Sequence, residues 1–219
     1  MSLKPDKKSD AGKSWMKSRR DRKRTIAPEY HLIVTEGEKT EPLYFESMKA
    51  EINRNYPNRI NIRICGVGQG YNTLTLLDYA VKLAEQDGYY KHIWVVYDKD
   101  DFPDIHFDGT VTQCRDLSNE SVVYHALWSN ECIELWFLLH FMYLQSDIPR
   151  HEYYQRLTKY LNSEYKKNRS DMYSLLKPHL ETAIRNAKKL ELLHEGMPPS
   201  QSAPGTAVYE IFEHLKSYL

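Results

Sequence analysis

The chain has 219 residues, of which 41% are apolar and 27% charged, and it contains nine glycines and ten prolines. These proportions support a folded core and exclude a collagen-like, membrane-spanning or wholly disordered chain, since no apolar run reaches the roughly 18 residues of a spanning helix. The formal net charge of zero hides an asymmetry, because residues 1–25 hold ten Lys or Arg against three Asp, whereas acidic side chains outnumber basic ones in the remainder.

Residues 1–25 have few aliphatic side chains, which predicts a flexible basic arm ahead of the first strand. Such an arm is able to contact phosphate backbones, and it is equally able to act only as a solvated tail. Its charges occupy the place where a secretion signal needs an apolar stretch, so a cytoplasmic protein without membrane contact is expected. Cys65, Cys114 and Cys132 form no CxxC pair, which fits a reducing compartment and offers no zinc framework.

From residue 30 onward, short apolar segments alternate with amphipathic helices, which is typical of an α/β domain with a mostly parallel sheet. Four strands are predicted, at residues 30–35, 60–64, 92–97 and 122–127. The third is the most apolar, as expected for a strand buried on both faces. Helices are predicted from residue 40, from a cap at Asn72, between about 105 and 118, and over 133–141 after a cap at Ser129 or Asn130.

Residues 146–219 change character, because they are polar, rich in tyrosine and helical in pattern, with no predicted strand. Pro178 suits the first turn of a helix that runs to about residue 194, and a loop at 196–205 precedes a last helix. We therefore divide the chain into the basic arm at 1–25, an α/β domain at 26–145 and a helical extension at 146–219 that packs on or beside it.

Acidic side chains follow two of the predicted strands at the point where each strand ends. Asp98, Asp100 and Asp101 come directly after the third strand, and Glu36 follows the first. In extended backbone, alternate side chains point the same way, so Asp98 and Asp100 share one face while Asp101 points to the other. In open α/β sheets, ligands bind in the crevice beyond the carboxyl ends of the strands, which is where these carboxylates are expected.

Carboxylates held this close repel one another unless a cation lies between them. Hard oxygen donors suit Mg²⁺ or Mn²⁺, so Glu36, Asp98 and Asp100 predict a divalent-metal site. Asp101 is a further candidate ligand, and Glu38 is held in reserve. Taken alone, an Asp after a strand is also a common turn former or helix cap.

Three separated blocks of sequence resemble the RloB-like proteins. They are Glu36-Gly-Glu-Lys-Thr-Glu41 with Tyr44-Phe45, then Tyr97-Asp98-Lys-Asp100-Asp101-Phe102, then the stretch from Ser129-Asn130 through Glu134 to His140-Phe141. The resemblance spans residues 30–145, with a weaker match at Pro204-Gly-Thr206, and it departs from the family at Glu131, where proline is common. The order of a Glu and then a DxD pair two strands later is also similar to the Toprim fold of topoisomerases, primases and OLD-type nucleases. This similarity implies a Toprim-like (Rossmann-like) fold for residues 26–145.

This resemblance implies bacterial antiviral defence of the AbiL abortive-infection type and a metal-dependent nuclease that acts on DNA or RNA. It maps the Toprim glutamate to Glu36 and the two aspartates to Asp98 and Asp100, which would hold Mg²⁺ or Mn²⁺. AbiL systems pair such a protein with an ABC-type ATPase. Since the chain has no GxxxxGK[ST] motif, any ATP hydrolysis is expected to belong to that partner.

Accessory roles are assigned to several other residues. Lys39 and Lys99 flank the carboxylates and are candidates to stabilise transition-state charge, although lysines beside acidic turns are often only solvated ion-pair partners. Asn130 and Glu134 lie near the start of a helix expected on the same rim, and Glu134 either faces the site or is exposed.

Two glycines and one histidine complete the candidates. Gly68 and Gly70 precede a helix and can bring backbone amides close to a phosphate. His140 is expected to be a core or boundary histidine rather than a catalytic base.

Two other functions fit the same motifs. A haloacid dehalogenase-like phosphohydrolase also uses a DxD pair, though normally on its first strand, whereas here Glu36 comes earlier. A non-catalytic regulatory or adaptor subunit would dock an ATPase and cleave nothing. The sequence leaves open the choice of DNA or RNA, the activating trigger and the formation of homo-oligomers.

Overall fold

The computed structural model of the chain describes residues 28–68 and 70–219, so the predicted basic arm lies outside the described residues. The strands are β1 (Glu29–Thr35), β2 (Ile60–Gly66), β3 (His92–Asp98), β4 (Val123–Asn130) and β5 (Gly205–Thr206). They form one sheet in the order β2-β1-β3-β4-β5, in which β5 is antiparallel and the other four strands are parallel.

Eight α-helices are described around this sheet. They are α1 (Thr40–Asn55), α2 (Thr73–Asp87), α3 (Asp104–Leu117), α4 (Glu134–Leu139), α5 (Arg150–Tyr160), α6 (Met172–Leu176), α7 (Leu180–Leu193) and α8 (Tyr209–His214). Short 3₁₀ turns occupy Lys177–His179, Pro199–Gln201 and Lys216–Tyr218. In the part of the chain that is described, no helix has the length and apolar character needed to cross a bilayer.

The architecture confirms the predicted α/β class, with a mostly parallel sheet flanked by helices, and it is compatible with a Rossmann-like fold. The predicted strand number of four is wrong, because β5 adds a fifth strand at the edge of the sheet. Two residues are too few to show the alternation by which a strand is recognised in sequence.

The end of β4 also differs from its prediction. Ser129 and Asn130 do not cap a helix, since both lie in β4, where they pair with Thr206 and Gly205 of β5. The strand runs past the apolar pattern because neighbouring strands on both sides satisfy its backbone groups. The next helix, α4, begins only at Glu134.

Helix α2 begins where its cap predicts. The Asn72 side chain accepts a hydrogen bond from the Thr75 backbone N–H at 2.9 Å, and the Thr75 hydroxyl accepts one from the Asn72 N–H at 2.9 Å. This reciprocal capping box satisfies two backbone donors that have no partner within the helix. Pro178, by contrast, lies in a 3₁₀ turn, and α7 follows it from Leu180.

Each face of the sheet has its own buried cluster. Residues of β1 and β3 pack against α2 and α3 on one face, and α1 and α4 to α8 cover the other. The helical extension therefore shares a core with the sheet, and its buried members include Tyr153, Tyr173, Leu190 and Phe212. The boundaries predicted for the two parts stay a prediction.

One aromatic contact fixes the helix that carries Glu134. The Trp136 indole N–H of α4 donates to the Tyr44 hydroxyl of α1 at 2.9 Å. The Trp136 ring also stacks on Phe212 of α8, with ring centroids 5.2 Å apart. Because Trp136 is fully buried, these contacts hold the start of α4 in place relative to the sheet.

Candidate functional site

A cavity of about 780 Å³ opens at the carboxyl ends of β1 and β3. Its size falls within the roughly 300–1,000 Å³ of typical ligand pockets. Six carboxylate side chains line it: Glu36, Glu38, Glu41, Asp98, Asp100 and Glu134. Three cationic side chains line it as well: Lys39, Arg150 and Lys167. The cavity thus brings together the three residues from which a metal site was predicted.

Glu36 and Asp98 meet because β1 and β3 are parallel neighbours. The register places Thr35 opposite Val96, and the Glu36 backbone N–H donates to the Val96 carbonyl at 3.0 Å. The Asp98 backbone N–H donates to Glu36 Oε2 at 3.3 Å. The glutamate side chain therefore lies across the end of β3, beside the first aspartate of the DxD pair.

Asp100 reaches the cavity through a turn, not through the extended strand that was predicted. β3 ends at Asp98, and Asp100 has a φ of 37°, a positive value that aspartate tolerates better than most residues. Its carboxylate forms an ion pair with Arg150, the first residue of α5. Asp101 is exposed and lies outside the cavity lining, so the structure separates it from the other candidate ligands.

Two more carboxylates lie deep in the cavity wall. Glu41, in the first turn of α1, is 6% exposed, and Glu134 is 1% exposed. Glu134 lines the cavity and is not solvent-exposed, and the Tyr165 hydroxyl donates to Glu134 Oε1 at 2.8 Å. A Cβ atom at Gly37 would lie 2.2 Å from Glu41 Oε2, which means that glycine leaves the room this carboxylate needs.

The crowding of acidic groups alters their proton affinities. Burial raises the pKa of Glu36 from 4.5 to about 7, and repulsion by Glu41 adds to this. Burial raises the pKa of Glu41 to about 7 as well, with repulsion from Glu134 as a further cause. Burial and the three neighbouring glutamates raise the pKa of Asp98 well above its usual value. Carboxylates that are this costly to ionise would be stabilised by a cation among them.

The chemistry of the donors fits Mg²⁺ or Mn²⁺. Six carboxylate side chains face three side-chain cations in this cavity, so the cavity has more acidic than basic side chains. Hard divalent cations prefer such oxygen ligands. Glu36, Asp98 and Asp100 are the residues that would hold the ion, and Glu41 and Glu134 line the same cavity.

The other predicted residues lie at the rim or elsewhere. Glu38 and Lys39 are exposed at the cavity mouth, and Gly68 and Gly70 also belong to the lining. Gly68 lies directly against Glu38, since a Cβ atom there would be 2.3 Å from Glu38 Oε1. Asn130 is not part of the lining, because its amide donates to the carbonyls of Pro199 and Ser200 at 3.0 and 3.1 Å. The structure thus gives Asn130 an anchoring contact in place of the predicted accessory role.

Lys99 and His140 are also occupied elsewhere. The Lys99 ammonium donates to the Phe102 carbonyl at 2.6 Å and pairs with Asp104 at 3.1 Å. The His140 ring is buried, with Nδ1 2.9 Å from the Trp136 carbonyl oxygen. Neither side chain lines the cavity.

The comparison with protein families agrees with the three sequence blocks. The model of the RloB-like protein family matches residues 31–215, from β1 to just past α8. The chain belongs to the RloB-like protein family. This membership is consistent with a defence-associated protein. No curated protein and no solved structure matched the chain.

The predicted site residues of this RloB-like protein did not include three charged residues of the lining, Glu41, Arg150 and Lys167, nor Tyr165, whose hydroxyl donates to Glu134. Glu41 could have been predicted from the sequence, because it is the last residue of the first sequence block and lies in the first turn of α1. The other three belong to the helical extension, where nothing in the local pattern distinguishes them from solvated polar residues. Only the packing of the extension against the sheet identifies them.

The Tyr165 hydroxyl is expected to stabilise the buried Glu134 carboxylate. Tyr165→Phe should lower the free energy of unfolding by about 1.5–3 kcal/mol, the usual contribution of a hydrogen bond to a charged group, as measured by denaturant unfolding. Tyr153→Phe is the matched control, because the Tyr153 hydroxyl is buried without a hydrogen-bond partner among the described residues. Equal losses in the two variants would contradict a specific role for the Tyr165 contact.

Proposed function

We propose that this protein is a divalent-metal-dependent nuclease that cleaves phosphodiester bonds of DNA or RNA as an effector of bacterial anti-phage defence. The observation that carries the proposal is the convergence of Glu36, Asp98 and Asp100 in one cavity with two further buried carboxylates. These three residues come from two separate sequence blocks, and they are the positions to which the Toprim carboxylates were mapped.

Mg²⁺ or Mn²⁺ bound there would supply positive charge against the scissile phosphate and the leaving oxygen. The chain's own residues would perform the remaining tasks. Burial raises the pKa of Glu36 in the metal-free protein, and a cation beside it would favour its ionised form, in which the carboxylate can accept a proton from an attacking water. Its contact with the Asp98 backbone N–H keeps the carboxylate oriented while it does so.

Positive side chains at the same cavity favour a phosphate-containing substrate. Arg150 Nε is buried and has no hydrogen-bond partner in the described residues, which leaves a donor for a phosphate oxygen. Lys39 and Lys167 are exposed at the cavity and can attract a polyanionic strand without deep burial. This distribution suits a polymer that lies across the opening.

Control by an ABC-type ATPase partner is part of the proposal and rests on the resemblance to AbiL systems. The chain has no P-loop motif of its own. The proposed defence function also implies a cytoplasmic location, because both the invading nucleic acid and the ATP would be found there. Activity in the absence of the partner is therefore not required by the proposal.

Metal binding is the first test, because a cleavage assay can stay silent without the cellular trigger. Mn²⁺ is titrated by calorimetry into the full-length protein and into Asp98→Ala/Asp100→Ala. We expect saturable binding to the wild type and an affinity at least about tenfold lower in the double variant. Asp101→Ala is the control, since it removes an exposed aspartate just outside the cavity and should leave the affinity unchanged.

Equal affinity in the wild type and the double variant would contradict the proposed site. Cleavage is then assayed on single-stranded DNA, double-stranded DNA and RNA, with and without the partner ATPase. Rapid hydrolysis of a generic phosphomonoester that is lost in Asp98→Asn would favour the haloacid dehalogenase-like alternative. Defence activity that survives Asp98→Ala but not surface changes in the helical extension would favour the adaptor alternative.

A further inference from the structure

A second cluster of side chains able to bind a metal ion lies at the amino ends of β1 and β3. Glu29 and His31 belong to β1, His92 is the first residue of β3, and His214 ends α8. His31 and His92 are register partners on adjacent parallel strands. Because the carboxylate cavity lies at the carboxyl ends of these strands, the two clusters are separated by the length of the sheet.

Glu29 is the centre of this histidine cluster. Its Oε1 atom lies 3.0 Å from His92 Nε2, 3.7 Å from His214 Nε2 and 3.7 Å from His31 Nε2. The ligand atoms of Glu29, His92 and His214 all lie within 4.8 Å of one another. Ligand atoms of a tetrahedral zinc ion, with bonds of about 2.0–2.1 Å, lie about 3.3 Å apart, so these three need little movement to share an ion.

We propose that Glu29, His92 and His214 bind a transition-metal ion of the zinc class. Imidazole nitrogen and carboxylate oxygen are the donors that zinc takes in sites with three protein ligands and one open position. The Glu29 and His214 side chains are 29% and 32% exposed. That exposure gives the ion a path from solvent and leaves room for a water molecule as the fourth ligand.

The hydrogen bonds around His92 support its role as a ligand. His92 Nδ1 lies 3.0 Å from His125 Nε2. If His92 carries its proton on Nδ1, it donates a hydrogen bond to His125 Nε2, and the lone pair on its own Nε2 then faces Glu29 and His214. An outer partner of this kind on the second ring nitrogen is usual for metal-bound histidine.

His31 also belongs to the histidine cluster, but a hydrogen bond from a neighbouring tryptophan determines which of its ring nitrogens carries the proton. The Trp94 indole N–H donates to His31 Nδ1 at 3.0 Å, so neutral His31 carries its own proton on Nε2. That atom is buried and has no hydrogen-bond partner among the described residues, and it points toward Glu29 Oε1 at 3.7 Å. A distance of 3.7 Å is too long for a hydrogen bond, so His31 only faces the Glu29 carboxylate, and we do not count it as a ligand of the ion.

The test is a titration of Zn²⁺ into the full-length protein, with excess Mg²⁺ present to occupy the carboxylate cavity. We expect one tight site in the wild type. Its affinity should fall at least about tenfold in both Glu29→Gln and His214→Gln. His151→Gln, which removes an exposed histidine of α5, is the control and should bind zinc as the wild type does.

The absorption of bound Co²⁺ in the visible range provides a second measurement, since it distinguishes four-coordinate from six-coordinate sites. Both variants change partly exposed side chains, and their thermal unfolding shows whether the fold is retained. Absence of tight zinc binding to the wild type, or affinity unchanged in both variants, would overturn the proposal. The Asp98→Ala/Asp100→Ala variant should still bind zinc at this site, so the zinc titration tests this proposal separately from the proposed nuclease centre.

Discussion

Replacing Asp98 by asparagine is expected to abolish cleavage and, at the same time, to raise the stability of the metal-free protein. The carboxylate lies among Glu36, Glu41 and Glu134, and burial together with these neighbours raises its pKa well above the usual value. Asparagine keeps the size of the side chain but removes a charge that the metal-free fold accommodates at a cost. The same charge would be needed to hold the ion that acts on the phosphate.

We expect the cleavage rate of Asp98→Asn to fall by at least about 10²–10³-fold, the usual effect of removing one group that stabilises transition-state charge. The unfolding temperature without metal should rise above that of the wild type at pH 8. Added Mg²⁺ or Mn²⁺ should stabilise the wild type and not the variant, because a ligand stabilises only the state that binds it.

Asp101→Asn provides the matched comparison. It makes the same chemical change three positions further along, at an exposed side chain outside the cavity, so activity and metal-dependent stabilisation should both persist. If Asp98→Asn unfolded the protein, the carboxylate would be a structural group. If Asp98→Asn cleaved at the wild-type rate, it would not belong to the active centre.

The metal-free protein is expected to lose a specific contribution to stability as the pH rises from about 4.5 to about 7. Burial raises the pKa of Glu36 and Glu41 from 4.5 to about 7. Between these values the folded protein keeps both groups protonated while the unfolded chain ionises them. Unfolding therefore releases protons, and stability falls with rising pH.

Buried histidines change the free energy of unfolding with pH in the opposite direction, so the effect of the glutamates must be measured as a difference between the wild type and a variant. Burial lowers the pKa of His31, His125 and His140 from 6.5 to about 3, and unfolding takes up protons through them below about pH 6.5. Comparing the wild type with Glu41→Gln cancels their contribution. The stability of the wild type relative to this variant should fall by on the order of 3 kcal/mol across the range, at about 1.4 kcal/mol per pKa unit.

Denaturant unfolding at a series of pH values, with EDTA present, measures this difference. Saturating Mg²⁺ should reduce it, because a cation among the carboxylates favours their ionised forms. A difference that stays constant from pH 4.5 to 7 would show that Glu41 is not held in the crowded, buried environment of the cavity.

Much of the fold was predictable because its signals are local. Apolar runs separated by helical patterns indicated the four parallel strands, and the side chain of Asn72 marked the start of α2. The short β5 was missed, because its two residues form a strand only by pairing with the end of β4. The cap predicted at Ser129 or Asn130 failed for the same reason, since that pairing draws both residues into the sheet.

The residues of the candidate site also fall into those that local sequence predicts and those that only tertiary packing reveals. The sequence by itself identified Glu36, Asp98 and Asp100, because acidic residues directly after apolar strands stand out and parallel strands end at one edge. Tertiary structure alone decided that Arg150 pairs with Asp100 and that Tyr165 donates to Glu134. It also decided that His92 and His214 meet at Glu29. Strand ends are local properties of the chain, whereas these contacts exist only because the helical extension packs its side chains into the core of the sheet.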